Sequence, residues 1–523
     1  MIRRQFLATL GLGLTGCCLH EEPKEEEMQE VYHSMLSCSP ANRDVIWVIG
    51  DSLTRARESG AYGPTPTANT VFQYYGGTIN QIGATDIQQD VDDVNWGSMW
   101  PKFGINYHSN TGRSPVFALS GKGGTTFSFD ASATDTWSTA STLYADSKDF
   151  CDDACAAVGV AEPKYTIIHL GINDAFYSAS LSNIATDVNS LFSRITTDYP
   201  NTIVMMVIIG RLASGSNNLR IASIRSYLVQ AARDYTNVHI ATSIATFASA
   251  STSYYLADNI HLNQTGNNKT ADMLGNWISN QAYSKWGRSI ISSHLTDLSS
   301  ARKTLIDNFA TTVGTSLFDM EVISNFKTVS SDDACFDWAF LYSGINLGSA
   351  SFTANSHIAT NGSSTYWRIV WQPSIAVRTS QNDIFAGFKI KDNRSTGFAT
   401  AIGVGTGSSN IRIGQTSTPT AYGRINDVTS LTFTDTSFQD DNWYSATRTA
   451  SNAKAIHKNA TQNNTATTAS ISNSATGFLT VGAHNNNGSL SDYIDADFEA
   501  VLLGKPAARE TVRAALETVL DNW

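Results

Sequence analysis

The chain has 523 residues, a formal net charge of −11 and only 15% charged side chains, a length that one hydrophobic core rarely serves and that predicts more than one domain. An acidic balance with no concentrated basic stripe argues against nucleic-acid binding. The six cysteines are too few for a disulfide scaffold, and no spacing of cysteine and histidine reads as a metal site or calls for a cofactor.

The amino terminus opens Met1-Ile2-Arg3-Arg4-Gln5-Phe6-Leu7 and reaches Leu14-Thr15-Gly16-Cys17. Its apolar run is far short of the ~20 residues that span a bilayer, so residues 1–17 read as a signal peptide. The arginine pair resembles a twin-arginine export signal and Leu-Thr-Gly-Cys resembles a bacterial lipobox. Together they imply export to the cell envelope and a membrane anchor through lipidated Cys17, with an ordinary secretory signal as the alternative. Residues 18–42 are read as a polar tether, since Glu21 to Glu30 is too polar to bury.

From residue 43 apolar strands alternate with helical stretches. Val45 to Ile49 forms a strand that ends at Gly50-Asp51-Ser52, where a fixed backbone holds a serine hydroxyl outward, as a nucleophile requires. The segment Ser59 to Arg113 carries Tyr62, Phe72, Tyr74, Tyr75, Trp96 and Trp100, which suits either sugar stacking or a packed insertion. Asp86, Asp90, Asp92 and Asp93 read as a solvated loop, with calcium binding the alternative. Val116 to Leu119 is a second strand, running into the glycine-rich turn Ser120 to Thr126, whose N–H groups can approach a ligand closely.

Cys151 and Cys155 are near enough in sequence to pair in an oxidising compartment. Tyr165 to Leu170 is a third strand, with His169 read as a satisfied core histidine, and it ends in Gly171-Ile172-Asn173-Asp174. Asp51 and Asp174 read as hydrogen-bonded turn acids. Helices are predicted over Ile184 to Ile195 and Asn218 to Tyr235, and strands over Ile203 to Ile209 and Val238 to Ile240. Leu256 to Asn263 then places Asp258 three residues before His261, ahead of a helix beginning near Gly266.

These four segments resemble the blocks of the SGNH hydrolases, the GDSL esterase/lipase family, over residues 43–288. The resemblance implies a three-layer α/β fold with a flavodoxin-like parallel sheet, and it assigns Ser52 as nucleophile, His261 as base and Asp258 as the acid that orients it. Each role makes chemical sense: serine needs an adjacent base, imidazole can take and return a proton, and a carboxylate holds the ring's other nitrogen. The N–H groups of Ser52 and Gly124 and the side-chain amide of Asn173 would form the oxyanion hole. In the second block Gly121, Gly123 and Gly124 compete; Gly124 fits best and Gly123 stays open.

After Trp286 the pattern changes to a helix at Leu298 to Phe309, then short alternating runs and a terminal helix at Pro506 to Leu520. The runs are Tyr366–Trp371, Ile384–Ile390, Asn442–Arg448, Ala453–His457, Gly477–Val481 and Phe498–Leu503. Residues 289–523 therefore read as a linker helix, an all-β sandwich and a closing helix. The strand spacing, Ala446-Thr447-Arg448-Thr449 and the Val481-Gly482-Ala483 turn resemble the concanavalin A-like jelly-roll domains, a resemblance that implies a carbohydrate partner, with a structural spacer as the alternative. Trp367, Trp371 and Trp443 are read equally as core or as sugar platforms. The whole is expected to be an exported serine esterase that O-deacetylates a polysaccharide. The alternatives are a lipase or thioesterase, or a surface glycan-binding protein with a vestigial site.

Overall fold

The computed structural model describes residues 42–54, 63–83, 98–130, 132–177, 179–210, 218–244, 252–280, 299–330 and, in shorter runs, most of 334–523. The signal peptide with Cys17, the tether up to residue 41, the four-aspartate cluster, Tyr62, Trp96 and the predicted boundary at 288 lie outside the described residues.

The first domain is a seven-stranded sheet. Its strands are β1 (Arg43–Gly50), β2 (Phe72–Tyr75), β3 (Thr78–Gln81), β4 (Ser114–Leu119), β5 (Tyr165–His169), β6 (Ile203–Ile208) and β7 (Val238–Ser243), in the spatial order β3-β2-β4-β1-β5-β6-β7. All pairings are parallel except the edge hairpin of β2 and β3. β4 and β5 are buried along their whole length and β1 everywhere but Arg43. Hence these strands read as unbroken apolar runs: helices cover both faces and no side faces water.

The helices are α1 (Trp100–Thr111), α2 (Leu143–Val158), α3 (Ile172–Phe176), α4 (Leu181–Asp198), α5 (Asn218–Asp234) and α6 (Gln264–Asn280). Helix α4 shows how sequence sets orientation: Ile184, Val188, Leu191, Phe192 and Ile195 form its buried stripe, and Ser180 caps it by accepting the Asn183 N–H. α1 lies close against α6 because Gly275 has no side chain there; a Cβ would come within 2.6 Å of Asn106 Cβ. Cys151 and Cys155 sit one turn apart on α2 as buried free thiols, so the pairing that their spacing suggested is not made. Phe72, Tyr74 and Trp100 are buried in the core, which makes this part of the Ser59 to Arg113 segment a packed insertion.

The second domain has two mainly antiparallel sheets. One holds Ser351–Thr353, His357–Ala359, Ala496–Gly504, Ile384–Asn393, Asn442–Ala450, Ala453–Lys458 and Thr461–Ala466 in that spatial order, with Met320–Asn325 also paired to Ala496–Gly504. The other is ordered Leu431–Thr434, Thr420–Asp427, Ser409–Gln415, Ala399–Thr406, Leu479–Val481, Trp367–Ile369 and Gly344–Ile345. The sheets pack face to face as in a jelly-roll sandwich: a Cβ on Gly423 of the second would lie 3.2 Å from that of Ala446 in the first. Trp367, Trp371 and Trp443 are buried, which decides for core and against sugar platforms. Helix Ser300–Val313 packs against the terminal helix Arg509–Asn522, whose apolar face is Val512, Leu516, Val519 and Leu520.

Candidate active site

Sheet order assembles most of the site. β4, β1 and β5 are neighbours, so the loops leaving their carboxyl ends emerge side by side: the glycine turn, Gly50-Asp51-Ser52, and Gly171 to Asp174. Ligands of open α/β sheets bind in this crevice, where successive connections leave in opposite directions. The loops are also bonded to one another. Lys122 N–H donates to Gly50 O at 3.1 Å, and Asp51 N–H donates to His169 O at 3.4 Å. Gly50 must be glycine here, since a Cβ would lie 2.5 Å from His169 O.

His261 comes from farther away. β7 is three strands from β1, roughly 14 Å at the usual strand spacing, and the loop after it spans that distance as a small closed unit. Leu256 N–H donates to His261 O at 2.8 Å and Asn263 N–H to Tyr254 O at 2.9 Å, around a turn in which Asn259 is left-handed at φ 55°. Asn263 then caps α6 by accepting the Gly266 N–H at 3.0 Å.

The result is one continuous hydrogen-bonded line. Ser52 Oγ lies 2.8 Å from His261 Nε2, and His261 Nδ1 lies 2.6 Å from Asp258 Oδ2. Asp258 Oδ1 accepts the N–H groups of Ile260 and His261 at 2.9 and 3.0 Å. Burial would raise the Asp258 carboxyl, but these backbone bonds and the imidazole outweigh it and hold the group below its ordinary value. Ser52 and His261 are buried, whereas the Asp258 side chain is 42% exposed.

Of the three competing glycines only Gly124 is left-handed, at φ 77°, and a Cβ on it would meet Thr134 Oγ1 at 2.3 Å. Asn173 Nδ2 donates to Thr125 O at 3.0 Å, fastening the third loop beside Gly124. A primary amide carries two N–H groups, so one anchors while the second remains for a ligand.

Asp51 and Asp174 do hold the loops, and they do so deep in the protein. Asp51 Oδ1 accepts the Leu53 N–H at 2.9 Å; Asp174 accepts the N–H groups of Phe127 and Ser128 at 2.8 and 3.1 Å. Burial pushes both carboxyls up to about 7, and Asp51 raises Asp174 further. His169 is in the core as expected but is not satisfied: neither ring nitrogen has a hydrogen-bond partner, and burial drives its pKa down to about 3. Sequence reading missed the Asp174 bridge and Thr125, because a carboxylate's target on another loop leaves no mark in spacing.

Residues 46–274 match the family model described as GDSL-like Lipase/Acylhydrolase. No curated protein matches the chain. Among solved structures, a protein from Arabidopsis thaliana is similar at 15% identity and TM-score 0.36, over 46% of this chain and 98% of that one. A family two carbohydrate esterase from Clostridium thermocellum, solved with cellohexaose, is similar at 18% identity and TM-score 0.30, over 46% of this chain and 64% of that one. A Trypanosoma rangeli sialidase is similar at 11% identity and TM-score 0.29, over 38% of this chain and 32% of that one.

Proposed function

We propose that the GDSL-type hydrolase domain at residues 46–274 acts as a serine esterase that removes acyl groups, acetyl foremost, from a polysaccharide outside the cytoplasm. The observation that carries this reading is the unbroken line from Ser52 Oγ through His261 to Asp258, with links of 2.8 and 2.6 Å. In the proposed reaction Ser52 Oγ attacks the ester carbonyl while His261 Nε2 takes its proton. Asp258 keeps the Nδ1 proton in place and stabilises the imidazolium. The new oxyanion is met by the N–H groups of Ser52 and Gly124 and the free N–H of Asn173, donors worth about 3 kcal/mol each. His261 returns the proton to the leaving alcohol, and water then cleaves the acyl-enzyme by the same route.

Acetyl and polysaccharide are favoured by the low hydrophobicity of the chain and by the appended sandwich; a lipase or thioesterase would differ in acyl preference. The test uses chain from residue 43 onward with p-nitrophenyl acetate and an acetylated polysaccharide. Ser52→Ala should lower kcat by about 10⁴-fold or more, and undiminished hydrolysis would overturn the assignment. Export and the lipid anchor are checked separately: Cys17→Ser should release the protein from membranes, and unchanged fractionation refutes the anchor.

A further inference from the structure

Thr134 lies outside all four sequence blocks and returns to the glycine turn in space. Its N–H donates to Gly124 O at 3.2 Å, and its Oγ1 lies 2.3 Å from where a Cβ on Gly124 would stand. The hydroxyl is the part of the side chain that faces the glycine: Thr134 Cβ is next at 3.2 Å, and the methyl is farther off than the Thr134 nitrogen at 3.8 Å. The residue is exposed, and among the described residues no hydrogen bond occupies its hydroxyl. That hydroxyl is free to turn toward a bound molecule, since its hydrogen rotates about the C–O bond.

Several bonds hold residues 134–137 against the turn. Thr126 N–H donates to Asp135 O at 3.2 Å, Trp137 N–H to Thr126 O at 2.8 Å, and Trp137 Nε1 to Thr125 Oγ1 at 3.1 Å. The Asp135 carboxylate accepts Lys122 Nζ at 2.7 Å and Ser141 Oγ at 2.5 Å. The turn itself is fastened to the strand end that carries Ser52. Gly50 O accepts the Lys122 N–H at 3.1 Å and Thr125 Oγ1 at 3.4 Å, one from each side of Gly124. Asn173 joins from the third loop through its bond to Thr125 O. Thr134 is thus fixed to Gly124, and Gly124 to the nucleophile's strand, by contacts in space.

A hydroxyl at that place lies within about 5 Å of the Gly124 nitrogen by the bond lengths between them. Two donors that each stand ~2.9 Å from one oxygen can be that far apart. We propose that the Thr134 hydroxyl is a fourth donor to the oxyanion, a deepening that rests on the esterase reading of Ser52 and Gly124. As Ser52 Oγ bonds to the carbonyl carbon, the π electrons move onto the carbonyl oxygen and the Thr134 O–H turns to meet the charge. The hydrogen stays on Thr134, and no covalent bond to it forms or breaks. A rotating hydroxyl on a fixed backbone can follow the oxygen as the carbon goes from planar to tetrahedral, which the N–H of a braced loop cannot do.

The experiment uses the full chain with Thr134→Val, which keeps the shape and loses the hydroxyl, and Thr134→Ser, which keeps the hydroxyl. On p-nitrophenyl acetate, whose acylation and deacylation both pass through an oxyanion, Thr134→Val should lower kcat about 10- to 100-fold at nearly constant KM. Thr134→Ser should restore most of that rate. Methylboronic acid, whose tetrahedral serine adduct carries the negative charge, should bind Thr134→Val more weakly by a similar factor. Thermal unfolding should be the same in all three proteins, because the side chain is exposed and the bond from its N–H persists. An unchanged kcat, a loss carried by KM, a serine variant as slow as the valine one, or unaltered boronate affinity overturns the fourth donor. So does a fall in unfolding temperature that tracks the fall in rate, since Thr134 would then only brace the turn. Ser52→Ala separates the two failures: hydrolysis that it leaves intact overturns the esterase reading and the fourth donor together, whereas the outcomes above overturn the fourth donor alone.

Discussion

The two domains bury carboxylates in opposite ways. In the α/β domain Asp51 and Asp174 are fully buried, receive backbone N–H groups, and have no cationic partner among the described residues; burial carries both to about 7. In the sandwich Asp427 is as deeply buried but meets Arg448 at 3.1 Å and Lys454 at 2.6 Å. Burial would raise Asp427 too, yet hydrogen bonds from Lys454, Thr468 and the Thr429 N–H outweigh it and hold the carboxyl at about 2. The contrast separates two uses of one side chain. Beside Ser52, the proposed nucleophile, the carboxyls shape loops with no counter-charge among the described residues; in the scaffold a carboxylate joins strands through full ion pairs.

Asp258 lies between these extremes, half in water, bonded to the His261 ring and to the N–H groups of Ile260 and His261, and it offers the sharpest test of the contrast. Asp258→Asn should lower kcat on p-nitrophenyl acetate by about 10³- to 10⁴-fold, with thermal unfolding little changed; comparable losses of stability and activity would mean that it serves the scaffold. Asp427→Asn should do the converse. It leaves two buried cations without their partner, a change that typically costs about 3–5 kcal/mol, visible as early unfolding of the sandwich while steady-state esterase activity at moderate temperature persists.

Proton linkage gives the two regions opposite signs. Folded Asp51 and Asp174 keep their protons up to about pH 7, whereas the ordinary value is 3.8. The folded state therefore binds more protons across that interval, and the α/β domain should lose stability as pH rises from about 4 to about 7. Asp427, held at about 2, contributes fully above about pH 4 and loses its contribution as pH falls toward 2. Denaturation of each domain across this range checks both signs, and parallel profiles would erase the distinction. The smallest effect concerns the loop itself: Gly124→Ala, forced into the left-handed region, should cost about 1–2 kcal/mol and slow ester hydrolysis. Gly123→Ala should be milder in both readouts if Gly124 is the oxyanion donor.

Much of this was legible in the chain because the signals were local. Val45 to Ile49 had to be a doubly covered strand, and Asp258 and His261 sit on one turn, so spacing nearly fixed their contact. What escaped was set by tertiary packing. Phe127 and Phe129 share one alternating run, and no periodicity says which ring is buried. A strand such as Thr420–Asp427 was missed because its inward residues include Gly423, whose lack of a side chain lets the two sheets approach while weakening the apolar alternation. The cation partners of Asp427 lie 21 and 27 residues away in sequence, beyond any local pattern.

The closed turn that carries Asp258 and His261 has a mechanical meaning. Its internal bonds from Tyr254 to Asn263 hold Asp258 and His261 in one piece, while Ser52 sits in the turn that leaves β1. Displacing that piece leaves the link between Asp258 and His261 intact and stretches only the one between His261 and Ser52. The proposed triad therefore has one joint, and a single coordinate, the gap between imidazole and hydroxyl, is enough to engage or disengage it.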